Sequence, residues 1–125
     1  MEAILIDTSV LIGLTRGEPA ADVALKRIAG SQQVLCDVVL SERLDGARNE
    51  AEHDRMFAYF NRTFQILPFT MEVSPKFREI VRTSGKDRGS HLGDHLIAAT
   101  AMAHDVPLLT LNKKHFTPIK GLKLV

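Results

Sequence analysis

The sequence predicts an α/β fold in which a parallel sheet of four or five strands carries helices on both faces. Residues 1–6 form a largely apolar run that does not alternate with polar residues, which is typical of a strand buried on both sides. Further short apolar runs alternate with helix-like segments, as in α/β proteins built on parallel strands. A length of 125 residues suits one domain with its own core, so we expect a single domain over 1–125.

In the first half of the chain, each predicted strand is followed by helices. Residues 8–15 form a short helix-like segment, and the apolar side chains within 19–30 share one helical face between a proline and a glycine. The apolar run 33–36 predicts a second buried strand, and 37–44 continues as a helix. Over 49–62 the apolar spacing is again helical, with charged residues on the outer face.

The next segment predicts a strand, a helix and a loop. Residues 64–67 form a third short apolar run that ends before Pro68. Apolar residues at helical spacing over 73–85 predict an amphipathic helix that ends near its glycine. The polar segment 86–93 contains two glycines, so we expect a loop long enough to line a site.

The last third of the chain begins with a helix of small apolar residues. Residues 94–104 are so uniformly apolar and small that we expect a buried helix packed closely against the sheet. The apolar run 107–111 predicts a fourth strand, 112–115 a turn, and 122–125 a final edge strand.

Three acidic residues of this scheme fall near the same edge of the predicted sheet. Asp7 ends the first strand, Glu42 lies on the helix after the second, and Asp94 opens the helix before the fourth. Ligands of open parallel sheets bind beyond the carboxyl ends of the strands. Carboxylates crowded there repel one another unless a cation lies between them, and Mg²⁺ or Mn²⁺ prefers carboxylate oxygens. The acids are candidate metal ligands, and the alternative for Asp7 is that it only caps the following helix.

Composition limits the class of protein. Sixteen Lys plus Arg against fifteen Asp plus Glu give a net charge of +1, which neither requires nor excludes a polyanionic partner. The single cysteine, Cys36, has no internal disulfide partner and is most simply a small buried hydrophobic residue. The sequence shows neither a signal-like segment nor an apolar stretch of the roughly 20 residues that span a membrane. We therefore expect a cytoplasmic protein with no membrane partner.

Four blocks, in order, resemble the PIN-domain nucleases and in particular the VapC-like toxins. The blocks are ILIDTS at 4–9, LSERLDGA at 40–47, DHLIAATA at 94–101, and PLLTLN at 107–112 followed by Phe116. The resemblance implies a three-layer PIN-like fold and an Mg²⁺- or Mn²⁺-dependent endoribonuclease. Such toxins are usually inhibited by a cognate antitoxin, and the relatives commonly form homodimers.

The same resemblance assigns roles to individual residues. It implies that Asp7, Glu42 and Asp94 bind the metal, with Asn112 or His115 at a fourth position where many relatives carry an Asp one residue before the closing Phe. We favour Asn112, since it follows the fourth strand directly and can turn a short side chain toward the acids. Its neutral carbonyl would hold a second ion less tightly than a carboxylate.

Other polar residues support these candidates. Three hydroxyl residues can orient the ligands or a bound water: Thr8, Ser9 and Thr110. Six cationic residues are candidates for RNA phosphate contacts: Arg16, Arg43, Lys86, Arg88, Lys113 and Lys114. Because the fourth acid is missing, the alternative function is a PIN-fold module that binds RNA or a protein with weak or no nuclease activity.

Overall fold

The computed structural model describes residues 2–85 and 91–125. Within these residues the chain forms a four-stranded parallel sheet in the order β3-β2-β1-β4. The strands are β1 (Ala3–Ile6), β2 (Gln32–Cys36), β3 (Gln65–Leu67) and β4 (Leu108–Leu109). The predicted parallel α/β fold is confirmed.

Burial along β1 shows that both faces of the sheet are covered. Successive strand residues point to opposite faces, yet Ile4, Leu5 and Ile6 are all buried. Leu5 pairs with Val34 of β2 on one side and with Leu108 of β4 on the other. The strand is therefore central as well as buried, as its apolar run predicts.

The predicted final edge strand contacts the sheet at one point. Leu108 forms an isolated parallel bridge with Leu124, in which the Leu108 backbone N–H donates to the Lys123 carbonyl at 2.9 Å and the Val125 N–H donates to the Leu108 carbonyl at 3.0 Å. The end of the chain thus extends the sheet beyond β4 by a bridge and not by a full strand.

Seven helices connect and flank the strands in the part of the chain that the structure describes. They are α1 (Thr8–Thr15), α2 (Pro19–Arg27), α3 (Asp37–Leu44), α4 (Glu50–Thr63), α5 (Val73–Ser84), α6 (Leu92–Ala103) and α7 (Lys113–Phe116). Pro19 occupies the first turn of α2, where its missing N–H costs nothing. The Asn49 side chain caps α4 by accepting the Glu52 N–H at 2.9 Å.

Helix α6 is buried as predicted. Ile97, Ala98, Ala99, Thr100 and Ala101 are all inaccessible to solvent or nearly so. The helix packs chiefly along α5 and also contacts α3 and α7. Its small side chains allow these neighbours to approach closely. The main packing partners of α6 are therefore helices, whereas the sequence predicts the sheet.

Helix α6 begins earlier than the sequence predicts. The helix starts at Leu92, so Leu92 and Gly93 are helical and not part of a loop. His91 has the extended backbone of an N-cap, and its N–H donates to the Asp94 side chain at 3.3 Å. This bond satisfies a backbone donor that the helix leaves unpaired and outweighs the low helix propensity of glycine. The rest of the predicted loop, 86–90, lies outside the described residues.

The predicted turn after β4 is also a helix. Asn112 precedes the four-residue helix α7, and the Asn112 carbonyl accepts the His115 N–H at 3.0 Å. The buried ring of Phe116 anchors this turn of helix to the core.

Candidate metal centre

Asp7 lies at the carboxyl end of β1 and is only 3% exposed. Its backbone N–H donates to the Leu109 carbonyl at 2.9 Å, which continues the pairing of β1 with β4. One carboxylate oxygen, Oδ2, accepts hydrogen bonds from Ser9 Oγ at 2.6 Å and from Thr110 Oγ1 at 2.7 Å. No hydrogen bond from a described residue reaches the other oxygen, Oδ1. The fold thus fixes this carboxylate and leaves one oxygen for a ligand.

The two hydroxyl residues tie the ends of β1 and β4 together. Their oxygens lie 3.3 Å apart, and each also accepts a backbone N–H: Ser9 from Leu111 at 3.0 Å and Thr110 from Asn112 at 3.0 Å. Thr110 is buried, so its hydroxyl keeps one orientation. The predicted role of Ser9 and Thr110 in orienting Asp7 agrees with these contacts.

The capping alternative for Asp7 does not hold. Asp7 occupies the N-cap position of α1, but its side chain accepts no hydrogen bond from the backbone of that helix. Its carboxylate instead accepts hydrogen bonds from two hydroxyl groups, one of which belongs to Thr110 near the other end of the chain. The Asp7 side chain is therefore a buried carboxylate held by other side chains, and it does not cap α1.

Glu42 projects from α3 toward the same region. Its Oε1 atom accepts a short hydrogen bond from Thr8 Oγ1 at 2.6 Å. A methyl group added at Gly93 would lie 2.9 Å from Glu42 Oε2, so the start of α6 packs directly on this carboxylate. This contact could not be predicted from the sequence, because it depends on how α3 and α6 pack.

The environment raises the pKa of the Glu42 carboxyl. Burial is the largest cause, and the nearby charges of Asp7 and Asp94 add to it, whereas the Thr8 hydrogen bond acts in the opposite direction. Glu42 is exposed as a residue, but its carboxyl group lies between Thr8 and Gly93. Together with the contacts to Thr8 and Gly93, this effect indicates that Glu42 lies near both Asp7 and Asp94.

Asp94 occupies the first turn of α6, and its side chain is 19% exposed. Its Oδ2 atom accepts the His91 N–H and lies 3.4 Å from His115 Nδ1. The rings of His91 and His115 meet edge to face, with centroids 6.3 Å apart. Two imidazoles therefore flank this carboxylate.

Asn112 and His115, the two candidates for the fourth position, have different surroundings in the structure. Asn112 is exposed, and its side chain makes no hydrogen bond with a described residue. His115 is the residue of α7 that reaches Asp94, because one turn of helix brings its ring back toward α6.

The donor set fits a hard divalent cation. Asp7, Glu42 and Asp94 bring three carboxylates into one environment, and no described Lys or Arg forms an ion pair with any of them. Hard cations prefer such oxygens and would relieve the repulsion between them. Across 2–85 and 91–125, however, no group of three or more His, Cys, Asp or Glu side chains is placed to hold a metal ion as the structure stands. An ion held by all three acids would require their carboxylates to move closer together.

The candidate phosphate-binding residues are dispersed. Arg16 is exposed after α1, and Lys113 and Lys114 are exposed on α7 next to His115. Arg43 instead lines a groove of about 1170 Å³ between α1 and α4, and none of the three acids lines that groove. Its Nε atom is buried without a hydrogen-bond partner. Lys86 and Arg88 lie outside the described residues.

Comparisons with known proteins match nearly the whole chain. A family model of the PIN domain matches residues 4–121. Ribonuclease VapC1 of Rickettsia felis is 37% identical, with 98% of this chain and 94% of the relative covered. Ribonuclease VapC19 of Mycobacterium tuberculosis is 36% identical, with 95% and 96% covered.

Solved structures show the same fold. VapBC-1 from nontypeable Haemophilus influenzae superposes with a TM-score of 0.85 at 21% identity, covering 98% of this chain and 96% of that one. A toxin-antitoxin complex from Klebsiella pneumoniae superposes with a TM-score of 0.74 at 27% identity, covering 95% and 94%. Among the helices that the structure describes, none has the length and apolar character needed to cross a membrane.

Proposed function

The chain belongs to the PIN-domain family, and on that premise we propose that it is a metal-dependent endoribonuclease and the toxin of a toxin–antitoxin pair. Relatives that match over almost their full length are named ribonucleases, and the Klebsiella pneumoniae structure is a toxin-antitoxin complex. The observation that carries the proposal is the convergence of the three acids: Glu42 accepts a hydrogen bond from Thr8, the residue after Asp7, and packs on Gly93, the residue before Asp94.

The three carboxylates would hold Mg²⁺ or Mn²⁺. A bound ion of this kind polarises the phosphodiester and lowers the pKa of water, which is the chemistry that RNA hydrolysis needs. The protein contributes the fixed geometry: Thr110 and Ser9 immobilise one oxygen of Asp7, and Thr8 immobilises one oxygen of Glu42. In each carboxylate the second oxygen is left for the ion.

RNA would be held mainly through its phosphates. Lys113 and Lys114 lie beside His115 on α7, so they flank the candidate centre on the solvent side. Contacts of this kind supply affinity that does not depend on base sequence. Arg16 is a weaker candidate for the same role, since no contact joins it to the acids. Arg43 is a weaker candidate as well, because it lines a groove away from them.

The partner proteins are also part of the proposal. A cognate antitoxin is expected from the VapBC complexes that share this fold. Homodimerisation is proposed from the family resemblance and a cytoplasmic location from the sequence, and sedimentation of the purified chain tests the first. Weight-average masses equal to one chain at micromolar concentration would remove the dimer from the proposal.

Cleavage of a generic single-stranded RNA tests the proposed activity. The full chain should cleave RNA in the presence of Mg²⁺ or Mn²⁺ and stop when EDTA is added. Asp94→Asn should lower the rate by roughly a hundredfold or more, because even residues that only support a metal ligand contribute 10–100-fold. Asp54→Asn, at an exposed position of α4, is the matched control and should cleave like the parent. Cleavage that survives EDTA and Asp94→Asn alike would overturn the proposal, and RNA binding without cleavage would favour the binding-module alternative.

A further inference from the structure

We infer that His115 supplies the fourth corner of the candidate metal centre and that its nitrogen makes the centre favour a first-row transition ion, such as Mn²⁺ or Co²⁺, over Mg²⁺. The inference rests on the proposed metal-dependent function and names the ion preference of that same site. It assigns to a histidine a position that the sequence-based argument gave to Asn112.

The distance between His115 and Asp94 suits two ligands of one ion. His115 Nδ1 lies 3.4 Å from Asp94 Oδ2. Neighbouring ligand atoms of an octahedral ion lie roughly 3 Å apart, since each is about 2.1 Å from the ion. Both side chains are mostly covered, with 25% exposure for His115 and 19% for Asp94. A small movement of either side chain would therefore place both donors on one cation.

The ring of His115 is held in this position by its neighbours. Phe116, the next residue along the chain, is fully buried and fixes the backbone of α7. The edge-to-face contact with His91 restricts the ring from the side of α6. Such a held side chain is a better ligand than one that must be ordered on binding.

Asn112 does not share these features. Its side chain is exposed and unbonded among the described residues, and its backbone N–H is already committed to Thr110 Oγ1. No contact joins it to Asp94, whereas His115 has one. The geometry therefore favours the histidine.

The kind of donor atom at the fourth corner determines which ion the centre binds more tightly. Mg²⁺ demands near-ideal octahedral coordination by oxygen, whereas imidazole nitrogen suits transition metals, whose affinities rise from Mn²⁺ to Co²⁺ and beyond. A neutral imidazole in place of a carboxylate also removes one negative charge that would attract Mg²⁺. Both effects act in the same direction.

Calorimetric titration of the metal-free full chain with Mg²⁺, Mn²⁺ and Co²⁺ tests the inference without RNA or activity. The quantity of interest is the ratio of the Co²⁺ and Mg²⁺ association constants. We expect His115→Asp to tighten Mg²⁺ and to lower this ratio at least tenfold. His115→Gln, which is neutral and offers oxygen in place of nitrogen, should lower it through weaker Co²⁺ binding. His53→Gln, at an exposed histidine near Asp54 on α4, is the control and should leave it unchanged.

The possible outcomes distinguish a failure of the His115 inference from a failure of the proposed function. A ratio that stays within twofold of the parent in both folded His115 variants would overturn the inference while the proposed function stands. A ratio that moves with Asn112→Asp but not with His115→Asp would overturn it as well. Absence of binding by the parent for all three ions would overturn the proposed function itself. Circular dichroism of each variant establishes that it is folded before titration.

Discussion

The Asp7 carboxylate is buried at the centre of the site, and such a group needs donors in place of water. Ser9 and Thr110 supply two hydroxyl donors to the same oxygen, and Thr110 comes from the opposite end of the chain. A hydrogen bond to a charged group contributes more than one between neutral groups, about 1.5–3 kcal/mol. The arrangement holds the carboxylate in one orientation at the edge of the sheet and leaves its other oxygen without a hydrogen bond from a described residue.

Glu42→Gln should stabilise the metal-free chain near pH 7. The pKa of Glu42 is raised in the folded state above its ordinary value of 4.5, so the folded chain binds this proton more tightly than the unfolded chain does. The resulting stability is fully present below about pH 4.5 and is lost as the pH rises through the raised pKa. At neutral pH the ionised carboxylate therefore opposes folding.

Melting temperatures from pH 3.5 to 8 in EDTA measure this effect. Glu42→Gln should melt above the parent at pH 7, and the difference should shrink as the pH falls through the raised pKa and vanish below about pH 4.5. Glu2→Gln, at an exposed position before β1, is the control. A variant that melts below the parent at pH 7 would show that Glu42 holds the fold together, which contradicts a ligand role.

Helix α6 meets α3 at Gly93, where the absence of a side chain leaves room for Glu42. Gly93→Ala would place a methyl group 2.9 Å from Glu42 Oε2, and the flexible carboxylate would turn away. We expect metal affinity to fall about tenfold, the scale of losing a supporting contact. Apo stability should hold or rise, because alanine favours the helix over glycine by up to about 1 kcal/mol.

Titration calorimetry and thermal melting of the same samples separate these two effects. Leu92→Ala changes an exposed side chain in the same turn of α6 and should alter neither quantity. If Gly93→Ala binds metal as tightly as the parent, the contact between α6 and Glu42 has no part in the site.

The small residues of α6 give a second test. Ala98 and Ala99 are fully buried, so a leucine at either position overfills the packing around the helix. Ala98→Leu and Ala99→Leu should each lower the free energy of unfolding by roughly 1–3 kcal/mol in urea titrations. Ala58→Leu on the exposed face of α4 should change it little. Parent-like unfolding of both α6 variants would mean that the helix is not closely packed.

Element bounds could be predicted where local signals agree. Helices α1 and α3 begin and end as the sequence predicts, because a strand with a sharp apolar boundary precedes each. The start of α6 was predicted two residues late, since the glycine at 93 suggested a loop and the bond from His91 to Asp94 is a capping contact that propensity does not contain. Helix α7 was missed because its anchor, Phe116, is a tertiary contact.

For the molecule as a whole, the edge of the sheet that carries the site could be predicted better than the site itself. The strand-end rule predicts the place of Asp7, whereas Glu42 and Asp94 are predicted from their positions on helices and from the resemblance to PIN-domain nucleases. His115 is predicted only as the alternative to Asn112, because its approach to Asp94 depends on one turn of helix where the sequence predicts a turn. The direction of Arg43 likewise depends on how α3 packs beside α4.

We propose that residues 1–125 fold as one domain, and Cys36 offers a probe of it. The thiol is fully buried at the end of β2, and burial raises its pKa to about 11. Native protein should not react with a thiol reagent at pH 8, and in urea the reactivity should appear together with the loss of helical circular dichroism. Reaction at urea concentrations well below that transition would indicate that the sheet opens separately from the helices.

The central claim is that Asp7, Glu42 and Asp94 together bind one divalent cation, and titration of the metal-free chain with Mn²⁺ tests it most directly. We expect saturable binding by the parent and by the exposed control Asp54→Asn. Asp7→Asn, Glu42→Gln and Asp94→Asn should each weaken binding at least tenfold, because each removes a charged oxygen ligand. Unchanged Mn²⁺ binding in Asp7→Asn and Asp94→Asn would contradict the claim.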